Sequence, residues 1–178
     1  AVGVVEQDTF VFTASVEHNV AYGDPWAPDD RVELASKYAQ LGDYIERLPG
    51  GYDTMVGERG VSLSGGQRQR LSIARSILLK PQLIVFDDST AAIDAATEQR
   101  IRAALTDLTK DRGTIIISHR LSSLMHADEI LFIEAGKIVE RGTHEELLAQ
   151  GGHYNDLYEL QIRPNEDSRN SQDEGSAS

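Results

Sequence analysis

Leu63-Ser64-Gly65-Gly66-Gln67-Arg68-Gln69-Arg70 runs unbroken into Leu71-Ser72-Ile73-Ala74-Arg75-Ser76-Ile77-Leu78, and Pro81-Gln82 separates it from Leu83-Ile84-Val85-Phe86-Asp87. Leu71, Ala74, Ile77 and Leu78 recur on one side of a helix, which is predicted to start at Ser64 and stop before Pro81. Leu83 to Phe86 is an unbroken apolar run, the texture of a parallel strand covered on both faces. Glycines at a helix start let a ligand approach the backbone, and the exposed N–H groups with the helix dipole favour an anion. A Ser-Gly-Gly run alone reads as a flexible linker. From the residues alone the linker and the phosphate-holding helix start both stay open.

Downstream the texture alternates. A helix with Ile101, Ala104, Leu105 and Leu108 at i, i+3, i+4, i+7 spacing is followed by the strand Thr114-Ile115-Ile116-Ile117, a β-α-β order that predicts an α/β fold. Ile130 to Ile133 and Lys137 to Glu140 flank Glu134-Ala135-Gly136 as a hairpin, and Thr143 with Glu146 forms a capping box for the next helix. Tyr154, Leu157, Tyr158 and Gln161 close the ordered part, and the polar residues 163–178 are predicted to be disordered. Upstream, Val2 to Val5 is a short β-branched strand broken at Gln7-Asp8-Thr9. Residues 15–48 turn helical, with Asp29-Asp30 capping a segment whose Val32, Leu34, Ala35, Tyr38 and Ala39 are expected on one buried face. Pro49-Gly50-Gly51 ends that region.

Composition narrows the function classes. With 178 residues, 40% apolar and 26% charged, the chain fits one globular domain. Its formal net charge of -12 argues against nucleic acid, whose affinity rests on neutralising phosphates. The absence of cysteine excludes disulfides, Cys-ligated zinc and thiol catalysis. No apolar run approaches the ~20 residues of a membrane span, and no secretory leader is visible. The chain opens at Ala1 directly into an apolar strand, so an upstream truncation is expected. His126, His144 and His153 lack ligand spacing and are read as surface residues.

Leu63-Ser64-Gly65-Gly66-Gln67, followed by Arg68-Gln69-Arg70 and the Ala74-Arg75 pair, resembles the signature motif of ABC ATPases. Leu83 to Phe86 followed by Asp87 is similar to the family's Walker B strand, Ser118-His119-Arg120 resembles its switch histidine, and Gln7 after Val4-Val5 resembles its Q-loop glutamine. Thr54-Met55-Val56-Gly57-Glu58-Arg59-Gly60 resembles the loop that in ABC exporters touches the intracellular ends of the transmembrane helices. The resemblance covers residues 2–160. It implies an α/β fold, a partial P-loop NTPase (RecA-like) core with a small ABC-type helical subdomain. The core would start in residues 1–7, the helical subdomain with the signature would occupy 8–80, the core would resume over 81–162, and 163–178 would be a tail.

The resemblance further implies ATP and Mg²⁺ as cofactors, a second nucleotide-binding domain as partner, an exporter transmembrane domain docked through Thr54 to Gly60, and a place at the cytoplasmic face of the membrane. Ser64, Gly65, Gly66 and Gln67 would meet the nucleotide held by the partner, with Asp94 in the D-loop beside them. Asp87 would act through Mg²⁺, Gln7 would sense metal and transport domain, and His119 would hydrogen-bond the γ-phosphate in cis. Two departures stand out. The Walker A pattern Gly-x-x-x-x-Gly-Lys-Ser/Thr is absent from the 178 residues, since the only Gly-Lys pair is Gly136-Lys137 with the wrong flanks. This chain alone should therefore not hydrolyse ATP, and exposed sheet edges with marginal folding are expected. Asp88 stands where the family usually has the Glu that polarises water. Its carboxylate is withdrawn by about 1.5 Å, which points to a slow site and, with Ala91-Ala92-Ile93-Asp94 where the family's D-loop more often reads Ser-Ala-Leu-Asp, to a heterodimer over a homodimer. The alternatives are a non-catalytic truncated remnant and an ABC ATPase of DNA repair or chromosome structure, the latter disfavoured by the exporter-type loop and the acidic charge.

Overall fold

The computed structural model describes residues 2–5, 9–87, 92–108 and 113–161. The first of two compact units, Ala1–Ile117, contains β1 (Val2–Val5), β2 (Ala14–Ser15), α1 (Val16–Val20), α2 (Asp29–Tyr38), α3 (Gly42–Glu46), β3 (Met55–Val56), α4 (Gly65–Leu78), β4 (Leu83–Asp87), α5 (Ala95–Leu108) and β5 (Gly113–Ile117). The second, Ser118–Ser178, contains the strands β6 (Ile130–Glu134) and β7 (Lys137–Gly142) and the helices α6 (His144–Gln150) and α7 (His153–Gln161).

The predicted strands pair in parallel in the order β1-β4-β5. Val5 lies beside Phe86 and Gly3 beside Ile84, while Asp87 lies beside Ile117. One face of this sheet is closed. Val5, Ile84 and Phe86 are buried there with Ile73, Ile77 and Leu78 of α4. The approach of α4 to β1 is close enough for the Ser76 hydroxyl to donate to the Val4 carbonyl at 3.2 Å. A side chain at Gly3 would meet Pro81 at 2.9 Å, which is why the strand carries glycine there. The other face differs from the expectation for an unbroken apolar strand: Val2, Val4, Ile115 and Ile117 are 47–62% exposed, and Leu83 and Val85 are only half-buried. Apolar content alone cannot tell a strand covered on both faces from one covered on a single face.

The helical part packs on α4. Val32 and Ala35 of α2 are buried as predicted, whereas Leu34 is half exposed, because α2 turns a narrower stripe inward than the five apolar positions suggested. Arg31 ties α2 to the end of α4 by donating to the Leu78 carbonyl at 2.7 Å. A second tie involves fully buried Asn19 of α1. Its Nδ2 donates to the carbonyls of Phe12 and Ser15, each at 3.0 Å, and its Oδ1 accepts from the Phe12 amide at 2.9 Å. Arg75 of α4 donates to Asn19 Oδ1 at 2.8 Å, to the Asn19 carbonyl at 2.6 Å and to the Phe10 carbonyl at 2.7 Å. Its guanidinium also lies over the rings of Phe12 and Tyr22. Three donors in a fixed fork reach three acceptors, a geometry lysine cannot reproduce.

In the second unit Leu121, Ile130, Leu147 and Tyr154 form a small core. The predicted Thr143–Glu146 capping box forms at the start of α6. His144, expected at the surface, is half-buried, with Nδ1 2.8 Å from the Tyr154 hydroxyl. His126 and His153 are exposed, as expected. Leu105 and Leu108 were predicted to line the buried face of α5, but their side chains lie outside the described ones, as does the tail.

Replacing Asn19 with Ala strands the Phe12 amide and one of the three Arg75 donors, and should cost about 2 kcal/mol of unfolding free energy. Leu34→Ala should stay within about 0.5 kcal/mol. Urea unfolding of the two variants measures the contrast, and equal losses would show that the Asn19 network does not hold the fold.

Candidate functional site

The start of α4 is built by its own side chains. Ser64, in extended backbone, accepts at Oγ from the Gln67 amide at 3.3 Å, and Gln67 Oε1 accepts from the Ser64 amide at 2.8 Å. This reciprocal capping box fixes the entry of the helix. Sequence reasoning missed it, although Ser-x-x-Gln is its signal. The first-turn amides of Gly65 and Gly66 are ones a helix cannot satisfy internally, and the Ser64 hydroxyl, which accepts within the cap, keeps its proton to donate. Ser64 and Arg68 are exposed, and Gly65, Gly66 and Gln67 are half-buried. Arg68 donates to the Leu63 carbonyl at 3.1 Å. Arg70 bridges the Gly66 carbonyl at 3.2 Å and the Gln40 carbonyl at 2.7 Å. Burial lowers the Arg70 pKa and the charge of Asp94 opposes that shift, so this cation is held in the wall of the site.

Ala92, Ile93 and Asp94 form the turn that enters α5, and Ala92 lies against both glycines of α4. Ile93 is buried in the core. Asp94 Oδ1 accepts from the Thr97 amide at 2.9 Å, and its carbonyl accepts from the Glu98 amide at 2.9 Å. Asp94 is thus the N-cap of α5. The hydrogen bonds from Thr97 hold its carboxyl below the ordinary value of 3.8.

Asp87 is exposed at the carboxyl end of β4, the edge of a parallel sheet where ligands bind. Among the described residues no cluster of three or more His, Asp or Glu side chains exists that could hold a metal without help. His119 is exposed in the second unit, and its carbonyl accepts from Gln161 at 2.9 Å. The structure therefore brings Ser64 to Gln67 together with Asp94 in one unit. Gln7 and Asp88 lie outside the described residues. The Thr54 to Gly60 segment is anchored by pairing of β3 with β2. Its Gly57 has φ +100° and sits on Phe12 and Thr13, and any side chain at Gly60 would run into the Met55 carbonyl. Glu58 and Arg59 stand exposed at its tip.

A carboxyl whose pKa is lowered by folding stabilises above its unfolded value and loses that contribution as pH falls through the lowered folded value. The Asp94 cap should accordingly persist through pH 3.8 and fail only below it. A carboxyl-carbon NMR titration of Asp94 with its midpoint at or above 3.8 would exclude the cap.

Comparison with known proteins gives the same picture from outside. The family model described as ABC transporter matches residues 1–91. The Bacillus subtilis ABC transporter ATP-binding protein YknU is 51% identical over 162 residues, 91% of this chain and 28% of that protein. A Staphylococcus aureus protein named for multidrug export as an ATP-binding/permease protein is 51% identical over 160 residues, 90% of this chain and 28% of its own length. The chain thus spans 28% of the length of the relatives it matches. A solved bacterial Atm1-family ABC exporter with ATP bound superposes with a TM-score of 0.86 at 42% identity, over 91% of this chain and 28% of that one. The fold is that of part of an ABC exporter's nucleotide-binding domain, a P-loop NTPase fold. With more than half of its length matched by that family model, and with Gly65-Gly66 at the head of α4 followed by a strand that ends in Asp87, this chain belongs to the ABC transporter family.

Proposed function

We propose that this chain is the signature-bearing part of an exporter's nucleotide-binding domain and that it works by closing on ATP held by a second such domain. The observation that carries this reading is the capped start of α4, where Ser64 and the Gly65 and Gly66 amides present donors at a helix N-terminus, beside the turn ending in Asp94. In it, Ser64, Gly65, Gly66 and Gln67 grip the γ-phosphate from across the interface. Positioning and charge stabilisation carry most of phosphoryl transfer, which suits a site made of backbone donors and arginines.

The residues fit magnesium. Asp87 offers a hard carboxylate oxygen at an exposed strand end, and a magnesium ion at such a site is held by one or two carboxylates together with substrate phosphates and water. When bound, the ion neutralises charge on the phosphates. Gln7 is assigned to sensing metal and transport domain, His119 to a hydrogen bond with the γ-phosphate held in cis, and the 8–80 helical part to the coupling with a transmembrane domain through Thr54 to Gly60. No described helix is long and apolar enough to cross a membrane, so in this reading attachment at the cytoplasmic face comes through that domain. The naming of the Staphylococcus aureus relative for multidrug export makes export of small molecules the proposed outcome.

Asp88 is proposed as a weak water-polarising group. An aspartate carboxylate is one carbon–carbon bond, about 1.5 Å, shorter in reach than a glutamate's, where a general base must come within roughly 3 Å of its proton, and the chain is accordingly assigned to the weak-site half of a heterodimer, its signature completing the partner's site.

In the assembled exporter, Ser64→Arg should lower ATP turnover by about 100-fold, the scale of losing an oriented donor at developing charge. Unchanged turnover would mean that the start of α4 does not meet nucleotide. Asp88→Glu should raise hydrolysis at its own site, read with the partner's site inactivated, at least about tenfold, since a well-placed general base contributes 10²- to 10⁴-fold. If the rate stays where it was, Asp88 does not limit its site and the heterodimer assignment is wrong.

A further inference from the structure

Gln69 lies one turn inside α4 and is buried to 5% exposure, although it is a polar residue without a charge to balance. Its Oε1 accepts from the amide of Ala92 at 2.9 Å, across 23 residues of sequence. A Cβ added to Gly66 would stand 2.8 Å from the Ala92 carbonyl oxygen, and one added to Gly65 would stand 3.3 Å from the Ala92 Cβ. The turn before α5 is therefore seated on the two glycines and pinned by the glutamine. Ile93 anchors its apolar side in the core, and Asp94 caps the helix that follows.

We propose that Gln69 is a positioning residue that locks the Ala92–Asp94 turn onto the glycines of α4, so that signature and turn meet a bound nucleotide as one rigid surface. The inference rests on the reading of that surface as nucleotide-facing and adds to it an intrachain requirement for the glycines. Gly65 and Gly66 admit phosphate on one side, and on the other they admit Ala92. A side chain at Gly66 would push the turn away, and one at Gly65 would press on the Ala92 methyl by a few tenths of an ångström, even with no nucleotide present. Ala92 is itself exposed, so the glutamine's acceptor is what ties its amide to α4 rather than leaving it to solvent.

The test uses Gln69→Met, which keeps length and packing while removing the amide acceptor, and Gln69→Glu, which keeps an acceptor oxygen. Hydrogen exchange of residues 92–98 is read in the chain, and kcat and KM for ATP are read in the assembled exporter. Gln69→Met should speed exchange across the turn and lower kcat by about three- to tenfold, the effect of one hydrogen bond. KM should remain within about twofold, and Gln69→Glu should restore both exchange and kcat toward the parent. Gly65→Ala should also lower kcat, and adding Ala92→Gly should recover part of the loss by removing the methyl it meets. Unchanged exchange in Gln69→Met, or a loosened turn with unchanged kcat, overturns the proposal. A loss in Gly65→Ala that Ala92→Gly does not relieve overturns the intrachain requirement. The Ser64→Arg variant separates the two levels. If it turns over ATP normally, the nucleotide-facing reading has failed, whereas a loss there with a silent Gln69→Met means only the lock has failed.

Discussion

Eight of the fourteen residues of α4 are buried, and they lie on more than one side of the helix. A helix enclosed in this way is the centre of a structure, and its neighbours must be shaped around it. The consequences can be followed residue by residue. Gly3 of β1 has no side chain because Pro81 and Ser76 occupy that space, and Arg31 reaches from α2 to the carbonyl at the helix's last turn. Arg75 and Asn19 close the side facing the loop after β1. The guanidinium is desolvated, and burial lowers its pKa. Its described partners are carbonyls, one amide oxygen and two aromatic faces. A cation held this way needs every acceptor in place, so the loop from Phe10 to Ala14 has little freedom to adopt another path.

The two ends of α4 are consequently linked by something stiff. Arg75 follows Ser64 by eleven residues, or roughly 16 Å along the helix axis. Over that span the backbone is a single unbroken helix. The loop that leaves β1 and the capped start of α4 therefore belong to one mechanical element, although 49 residues of sequence lie between Ala14 and Ser64.

The parts legible in the sequence were those written in local pattern. The parallel strands, α4 itself, the hairpin and the Thr143–Glu146 box follow from apolar spacing and capping pairs within a few residues of one another. The Asn19–Arg75 network was not legible, because its members are 56 residues apart and neither residue type announces a partner. Gln69 was hidden for a related reason: beside Arg68 and Arg70 it reads as one more polar residue on a solvated helix, and only the return of the chain at Ala92 buries it. Leu34 failed in the opposite direction, since an apolar residue at the edge of a helical stripe can face water at little cost. His144 did the same for polarity, its ring finding the Tyr154 hydroxyl rather than solvent.

The charge balance sets a further condition on the site. With a formal net charge of -12, the chain as a whole repels a polyanion such as ATP. That field is screened beyond about 8 Å at physiological salt, so attraction has to be supplied at short range. In the proposed reading the start of α4 supplies it through backbone amides, the helix dipole and the cations Arg68 and Arg70, all of which act within the last few ångströms. Donors of this reach gain strength only when water is excluded around them. Ser64 and Arg68 stand exposed in the chain by itself. A surface of this design is weak while open and strong once covered, which is what the proposed role as half of a nucleotide site requires of it.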